Sequence, residues 1–341
     1  MIKKFVYGTP FETEAVVKEI PASEGNPDYG TFSTENGFSF TTKLADDDMV
    51  FGLGEANRGI NKRGFLYISD CADDPNHVES KTSLYAAHNF IIISGKTHVG
   101  FFFDYPGTLR FDIGYTTSDT MTVSCENADL YVYMITGDSD LDIVKQFRGI
   151  IGRSYIAPKF AFGYGQSRWG YKTEDDFRTV VKKYRENHVP LDMVYMDIDY
   201  MQDYKDFTVN EERFPDFEGF VQDMKKEKIH LVPIIDAGVK VEKGYDIYEE
   251  GCEKGYFCRR EDGSYFEATV WPGWTHFPDV LNADARKWFG DKYDVLVSRG
   301  IDAFWNDMNE PSIFYSQEGL ADFRETAKKY VEGDPEVPHF M

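Results

Sequence analysis

The residues best suited to chemistry lie in Phe304-Trp305-Asn306-Asp307-Met308-Asn309-Glu310-Pro311, where a carboxylate follows an indole by two positions. On an extended strand that spacing puts Trp305 and Asp307 on one side. An indole offers an apolar surface to the C–H face of a sugar ring, and a carboxylate beside it can attack or stabilise an oxocarbenium-like centre. The same aspartate also suits a cap or turn ahead of Pro311. In Met196-Asp197-Ile198-Asp199-Tyr200-Met201 two carboxylates flank an isoleucine, so a strand would carry both on one face with Ile198 turned away. One ionised carboxylate can accept from two neighbouring hydroxyls; the other reads equally well as a structural partner. Asp236, in Ile234-Ile235-Asp236-Ala237-Gly238, has the same two readings. Trp169 and Trp271 fall in predicted loops, as sugar platforms or, more commonly for such rings, as core.

Other chemistries lack their signatures. The histidines, His77, His88, His98, His188, His230, His276 and His339, form no i, i+4 pair and no local cluster, so neither a metal nor a cofactor is called for. Cys71, Cys125, Cys252 and Cys258 form no Cys-x-x-Cys pair and read as reduced thiols of a cytoplasmic protein. Gly52-Leu53-Gly54-Glu55 opens no helix and is no dinucleotide loop; a Gly-x-Ser-x-Gly elbow and a phosphate loop are both missing. A net charge of −22 repels phosphate backbones and anionic lipid, which argues against nucleic-acid or membrane partners. The apolar stretches Phe90 to Ile93 and Val99 to Phe103 fall far short of the roughly 20 residues of a membrane helix. The N-terminus reaches Pro10 and Glu12 before an apolar signal core can form. At 16% aromatic and 28% charged, the 341-residue chain is globular.

Two kinds of element must position these groups. Up to about residue 135, short runs rich in Phe, Tyr, Ile, Val and Thr recur between Gly, Asp and Asn turns: Gly37 to Leu44, Met49 to Leu53, Phe65 to Ser69, Phe90 to Ser94, Val99 to Tyr105, Leu109 to Tyr115, Met121 to Cys125 and Leu130 to Thr136. That pattern predicts an antiparallel β-sandwich over residues 1–150, closed by a helix from Leu141 to Ile151. Beyond Pro158 strands alternate with helices: strands Phe160 to Gly165, Leu191 to Met196, Ile229 to Ile235 and Ile301 to Trp305, with helices after Thr173, around Phe217 to Met224, from Ala285 to Val297 and, amphipathic and polar, near Leu320 to Val331. Four β-then-α units predict a parallel sheet, and each strand ends in polar residues, Gln166, Asp197, Asp236 and Asp307 among them. Catalytic groups at the carboxyl ends of strands favour a (β/α)8 barrel, although a doubly wound sheet obeys the same rule. Residues 151–341 therefore read as strands one to four of a TIM barrel.

The motifs resemble those of the α-glucosidases of glycoside hydrolase family 31. Trp305-Asn306-Asp307-Met308-Asn309-Glu310-Pro311 matches that family's W-x-D-M-N-E-P signature. Asp197-Ile198-Asp199-Tyr200-Met201 with Asp206-Phe207-Thr208, and Val270-Trp271-Pro272-Gly273 with Phe277-Pro278-Asp279, match two others in the right order. The resemblance implies retaining hydrolysis of α-glucosides from the non-reducing end, with Asp307 as nucleophile. It implies that Asp197 holds sugar hydroxyls and that Ile198, Ile235, Trp271, Trp305 and Met308 line the sugar pocket. It also implies that Trp169 borders the next sugar and that Asp73, in the sandwich loop, reaches the pocket. The family's acid/base lies well beyond the nucleophile strand, and the chain ends 34 residues after Asp307 with no residue in a matching context. The expectation is a chain that lacks the acid/base and is inactive alone. A non-catalytic carbohydrate-binding fragment and an α-xylosidase of the same family stay open. Unpaired edges of half a barrel also predict self-association, a possible homo-oligomer.

Overall fold

The computed structural model describes residues 1–71, 73–310 and 312–317. The chain divides into two compact units, Met1–Tyr155 and Ile156 onward. The first holds strands β1 (Ile2–Tyr7), β2 (Thr31–Ser33), β3 (Phe38–Lys43), β4 (Met49–Gly52), β5 (Phe65–Ser69), β6 (Phe90–Ser94), β7 (His98–Asp104), β8 (Leu109–Ile113), β9 (Thr120–Cys125) and β10 (Leu130–Gly137). They form two five-stranded sheets, ordered β1-β10-β7-β6-β4 and β2-β3-β9-β8-β5, with antiparallel neighbours throughout. Alternating side chains from both sheets meet in one core: Phe38 and Phe40 from β3 face Phe101 and Phe103 from β7, with Phe40 and Phe101 ring centroids 4.6 Å apart. Helix α1 (Asp140–Ile151), capped by Ser139, covers the outer face of the first sheet through Ile143, Phe147 and Ile150.

β1 and β2 were not evident from the sequence. Lys3 and Lys4 interrupt the apolar alternation of β1, yet Phe5 and Tyr7 point inward and the Lys4 ammonium lies 3.9 Å over the Tyr131 ring.

The second unit holds β11 (Gly165–Gln166), α2 (Glu174–Glu186), β12 (Met193–Met196), α3 (Phe217–Lys226), β13 (His230–Asp236), β14 (Val239–Lys240), α4 (Asp246–Lys254), β15 (Glu267–Val270), β16 (Gly273–His276), α5 (Ala283–Lys292), α6 (Asp294–Val297), β17 (Trp305–Asp307) and β18 (Tyr315–Ser316). A curled parallel sheet, ordered β11-β12-β13-β17, is the half-barrel. α2 begins on a capping box in which Thr173 and Asp176 exchange side-chain-to-backbone bonds. It buries Phe177 and Val181; α3 buries Phe217, Phe220, Val221 and Met224 in the same cluster as Val194, Leu231 and Ile234 of the sheet.

Three expectations need correction. Phe160 to Gly165 is mostly not strand: Lys159–Phe162 forms a 3₁₀ turn and Phe160 stacks on His230 at 3.5 Å, leaving Gly165–Gln166 as the strand. The last strand is Trp305–Asp307 rather than Ile301 to Trp305, and the preceding helix, capped by Asn282, breaks into α5 and α6. A second sheet, ordered β14-β16-β15-β18, draws β14, β15 and β16 from the long connection before α5 and β18 from the segment after β17. The helix expected from Leu320 to Val331 lies outside the described residues.

Phe40 is wholly buried between the sheets. Phe40→Ala is expected to cost about 3–5 kcal/mol in urea-unfolding free energy, and a loss below about 1 kcal/mol would contradict this account of the core.

Candidate active site

Three of the four carboxylates singled out above stand at the carboxyl ends of successive strands of the half-barrel. Asp197 directly follows β12, Asp236 closes β13 and Asp307 closes β17. β13 and β17 are paired in parallel with Ile234 opposite Trp305, Ile235 opposite Asn306, and Asp236 opposite Asp307. Residues paired across adjacent strands face the same side, so these two carboxyls project together from backbones roughly 4.8 Å apart. On the other side, Asp197 lies one step beyond the Met196–Pro233 pair.

Asp197 caps a 3₁₀ turn, Ile198–Tyr200, by accepting the Ile198 N–H at 2.7 Å. That turn corrects the expectation of two carboxylates on one strand face. Asp199 is instead drawn inside, 1% exposed, with its Oδ1 3.4 Å from the Arg213 guanidinium, which also donates to the Asp199 carbonyl at 2.7 Å. Ile198 and Ile235, expected along the pocket wall, are buried in the main core cluster.

Beneath the strand ends lies a buried acid that sequence reasoning noticed only as part of a motif. Asp206 is 1% exposed, and its Oδ1 accepts the Asp236 backbone N–H at 3.1 Å. Two buried hydroxyls fasten the surrounding backbone: Tyr245 donates to the Asp206 carbonyl at 2.8 Å and Tyr200 to the Ile234 carbonyl at 2.9 Å. Burial, and then the neighbouring Asp236, push the Asp206 carboxyl well above the ordinary carboxylate range. Asp236 itself is 2% exposed and is pushed up to about 7, first by burial, then by the charges of Asp307 and Asp197. Neither oxygen of its carboxyl has a hydrogen-bond partner. Asp197 is raised for the same reasons, burial first, with the Ile198 N–H working against them.

The aromatics gather nearby in sequence-distant loops. Trp169 and Trp271 are both exposed and lie 6.5 Å apart at 30°, with Phe314 edge-on to Trp271 at 4.9 Å. Trp305 packs edge-to-face against Tyr195 at 6.0 Å, and Asn306 accepts the Tyr293 hydroxyl at 2.6 Å. Met308 adopts a left-handed φ of 58° and packs on the cluster of Ala268 and Val270 from β15 with Phe277, just after β16. A non-glycine residue in that region is strained, and here the strain accompanies the chain's exit from β17. Asp73 is an exposed residue of the loop after β5 in the first unit. Arg213, Tyr293 and Phe314 carried no sequence signal, because each acts through a partner far along the chain. Among the described residues no three His, Cys, Asp or Glu side chains are arranged to hold a metal ion.

The arrangement therefore offers carboxylates for hydroxyl recognition or nucleophilic attack and exposed rings for apolar sugar faces. Its buried acid also makes stability depend on pH. In the unfolded chain Asp236 releases its proton near the reference value of 3.8, whereas the folded chain keeps it to about 7. Between those values the unfolded state binds fewer protons, so stability falls as pH rises, by up to about 1.4 kcal/mol per pH unit from this group. Urea titrations at pH 4.5 and 7.5 are expected to show a smaller loss across that interval in Asp236→Asn than in the wild type. An unchanged loss would contradict the raised proton affinity.

The glycosyl hydrolases family 31 TIM-barrel domain matches residues 154–335, and the glycosyl hydrolase 31 N-terminal galactose mutarotase-like domain matches residues 11–112. The chain is 37% identical to alpha-glucosidase 2 of Bacillus thermoamyloliquefaciens over 80% of its own length and 35% of that protein's. It is 27% identical to an alpha-glucosidase of Saccharolobus solfataricus over 92% of its length and 46% of that protein's. It thus spans between about a third and a half of these relatives. A Flavobacterium johnsoniae GH31 dextranase complexed with isomaltotriose shares the fold, with a TM-score of 0.76 and 23% identity over 85% of this chain and 36% of that one. With the barrel domain matching more than half its residues, the chain belongs to glycosyl hydrolase family 31.

Proposed function

We propose that this chain carries the nucleophile half of a retaining α-glucosidase that releases glucose from the non-reducing ends of α-glucosides or oligosaccharides. The observation that carries the reading is Asp307 at the end of β17, flanked across the sheet by Asp236 and, one strand further, Asp197. Asp307 attacks the anomeric carbon and displaces the leaving group to form a β-linked glycosyl-enzyme. Water then cleaves that ester and restores the α configuration. Asp197, at the neighbouring strand end, is suited to accept from hydroxyls of the terminal sugar. The Trp271 ring suits the apolar face of the terminal sugar and the Trp169 ring that of the next unit, and the dextranase captured with isomaltotriose supports an α-linked oligosaccharide as ligand. The free thiols Cys71, Cys125, Cys252 and Cys258 accord with a cytoplasmic setting.

Retaining chemistry also needs a second carboxyl about 5 Å from the nucleophile that protonates the leaving oxygen and later activates water. Asp199 is held by Arg213, and Asp236 is buried alongside the nucleophile rather than across a substrate from it. Neither suits that role, and our reading places the acid/base outside this chain.

In the full-length enzyme Asp307→Asn is expected to lower turnover of maltose by roughly three orders of magnitude or more, whereas undiminished turnover would remove the nucleophile assignment. The isolated 341-residue chain is expected to hydrolyse an activated aryl α-glucoside no faster than buffer does. A clear enzymatic rate would show that an acid is present within it.

A further inference from the structure

Asp236 is the buried titratable group that the double-displacement scheme leaves without a task. Most buried carboxyls in proteins are satisfied by donors, because an unpaired buried polar group costs free energy. Asp199 has Arg213. Asp236 has nothing on either oxygen, and the titratable groups that interact with it are acidic or phenolic: Asp307 on β17, Asp197 beyond β12, and Asp206 and Tyr200 beneath. No lysine or arginine is among the charges acting on it. Its backbone N–H is tied to Asp206, which holds this strand end in place.

Two adjacent ionised carboxylates in a water-poor site repel strongly, so the pair keeps one proton between them. The partner that is more exposed retains better access to water and is the better anion. Asp307 is partly exposed and Asp236 is buried, so the proton belongs to Asp236.

We propose that Asp236 is a positioning residue that stays a neutral carboxylic acid beside the nucleophile, so that Asp307 carries the pair's single negative charge. This rests on the reading of Asp307 as nucleophile. The role has a consequence along the reaction: when Asp307 becomes an ester, the charge that held the proton on Asp236 disappears and Asp236 becomes more acidic. When water regenerates the Asp307 carboxylate, the affinity returns. Asp307→Asn is a static mimic of that neutral ester.

The test is infrared spectroscopy of the 341-residue chain in D2O across pH 4–9, reading the carboxylic-acid C=O stretch, which is separate from carboxylate bands. In the wild type an Asp236 band, beside that of Asp206, is expected to persist at pH 6 and to titrate away near pH 7, the value to which burial and its neighbours raise Asp236. Asp236→Asn is expected to abolish that band while leaving the deeper Asp206 signal. Asp307→Asn is expected to move its titration down by about one pH unit or more, because it removes a like charge. Identical wild-type and Asp236→Asn spectra at pH 6, or a titration that Asp307→Asn leaves in place, would overturn the proposal. If Asp236→Asn fails to fold, the Asp307→Asn shift decides alone. Turnover of Asp307→Asn in the full-length enzyme separates the two levels. Lost turnover with a failed infrared result sinks only the role of Asp236. Undiminished turnover sinks the nucleophile reading and the role built on it, even where the shared proton is seen.

Discussion

Parallel pairing of β13 with β17 sets Asp236 directly opposite Asp307, and that forced adjacency of two acids governs the site. At strand spacing the repulsion between two carboxylates is modest in water but grows severalfold where water is excluded. Side-by-side acids at the mouth of a sheet are therefore unstable as two anions. The structure resolves the conflict by unequal burial, with Asp236 nearly sealed and Asp307 partly open. The same logic runs one level lower, where fully buried Asp206 is stabilised in its protonated form and uses an oxygen to hold the Asp236 backbone.

That electrostatic arrangement depends on a rigid floor. Ile198, Ile234 and Ile235 fill the core directly under the acids, joined by Phe207 and Trp305 from the segments on either side. Tyr200 and Tyr245 occupy the same layer but keep their hydroxyls bonded to backbone carbonyls, so they bring rigidity without leaving polar atoms unsatisfied. Ile198 and Ile235, each next in sequence to one of these acids, belong to that layer.

Much of this was legible in the amino-acid sequence, for physical reasons that differ by element. Sandwich strands such as Phe38–Lys43 and Phe65–Ser69 alternate cleanly because one face meets the core and the other water. The placement of Asp197, Asp236 and Asp307 at strand ends was readable because apolar runs stop at them. What escaped was set by contacts distant in sequence. β11 is two residues long and exists because Gly165 and Gln166 pair with Met193 and Val194, a register that no local pattern encodes. The β14-β16-β15-β18 sheet is built from strands of two to four residues around Pro272 and Gly273, whose turn signals read as loop. Asp199 was misplaced because its neighbour Asp197 prefers to cap a 3₁₀ turn, which changes the period from two to three and sends Asp199 to Arg213. The partners of Asp206 and Asn306, 30 and 13 residues away, were equally invisible.

The division of labour between acids and rings follows from the same burial gradient. Trp169 and Trp271 remain exposed although each has a large apolar surface, which a protein ordinarily hides. Their mutual stacking and the edge contact with Phe314 hold the rings in place without removing their outer faces from water. A preorganised open ring loses little conformational entropy on meeting a flat apolar ligand face, so binding draws on surface that folding left unused. The acids do the reverse, losing solvation during folding so that charge is concentrated on one oxygen pair before any ligand arrives. The half-barrel keeps exposed rings and acids apart by putting the rings on loops and the acids on strand ends.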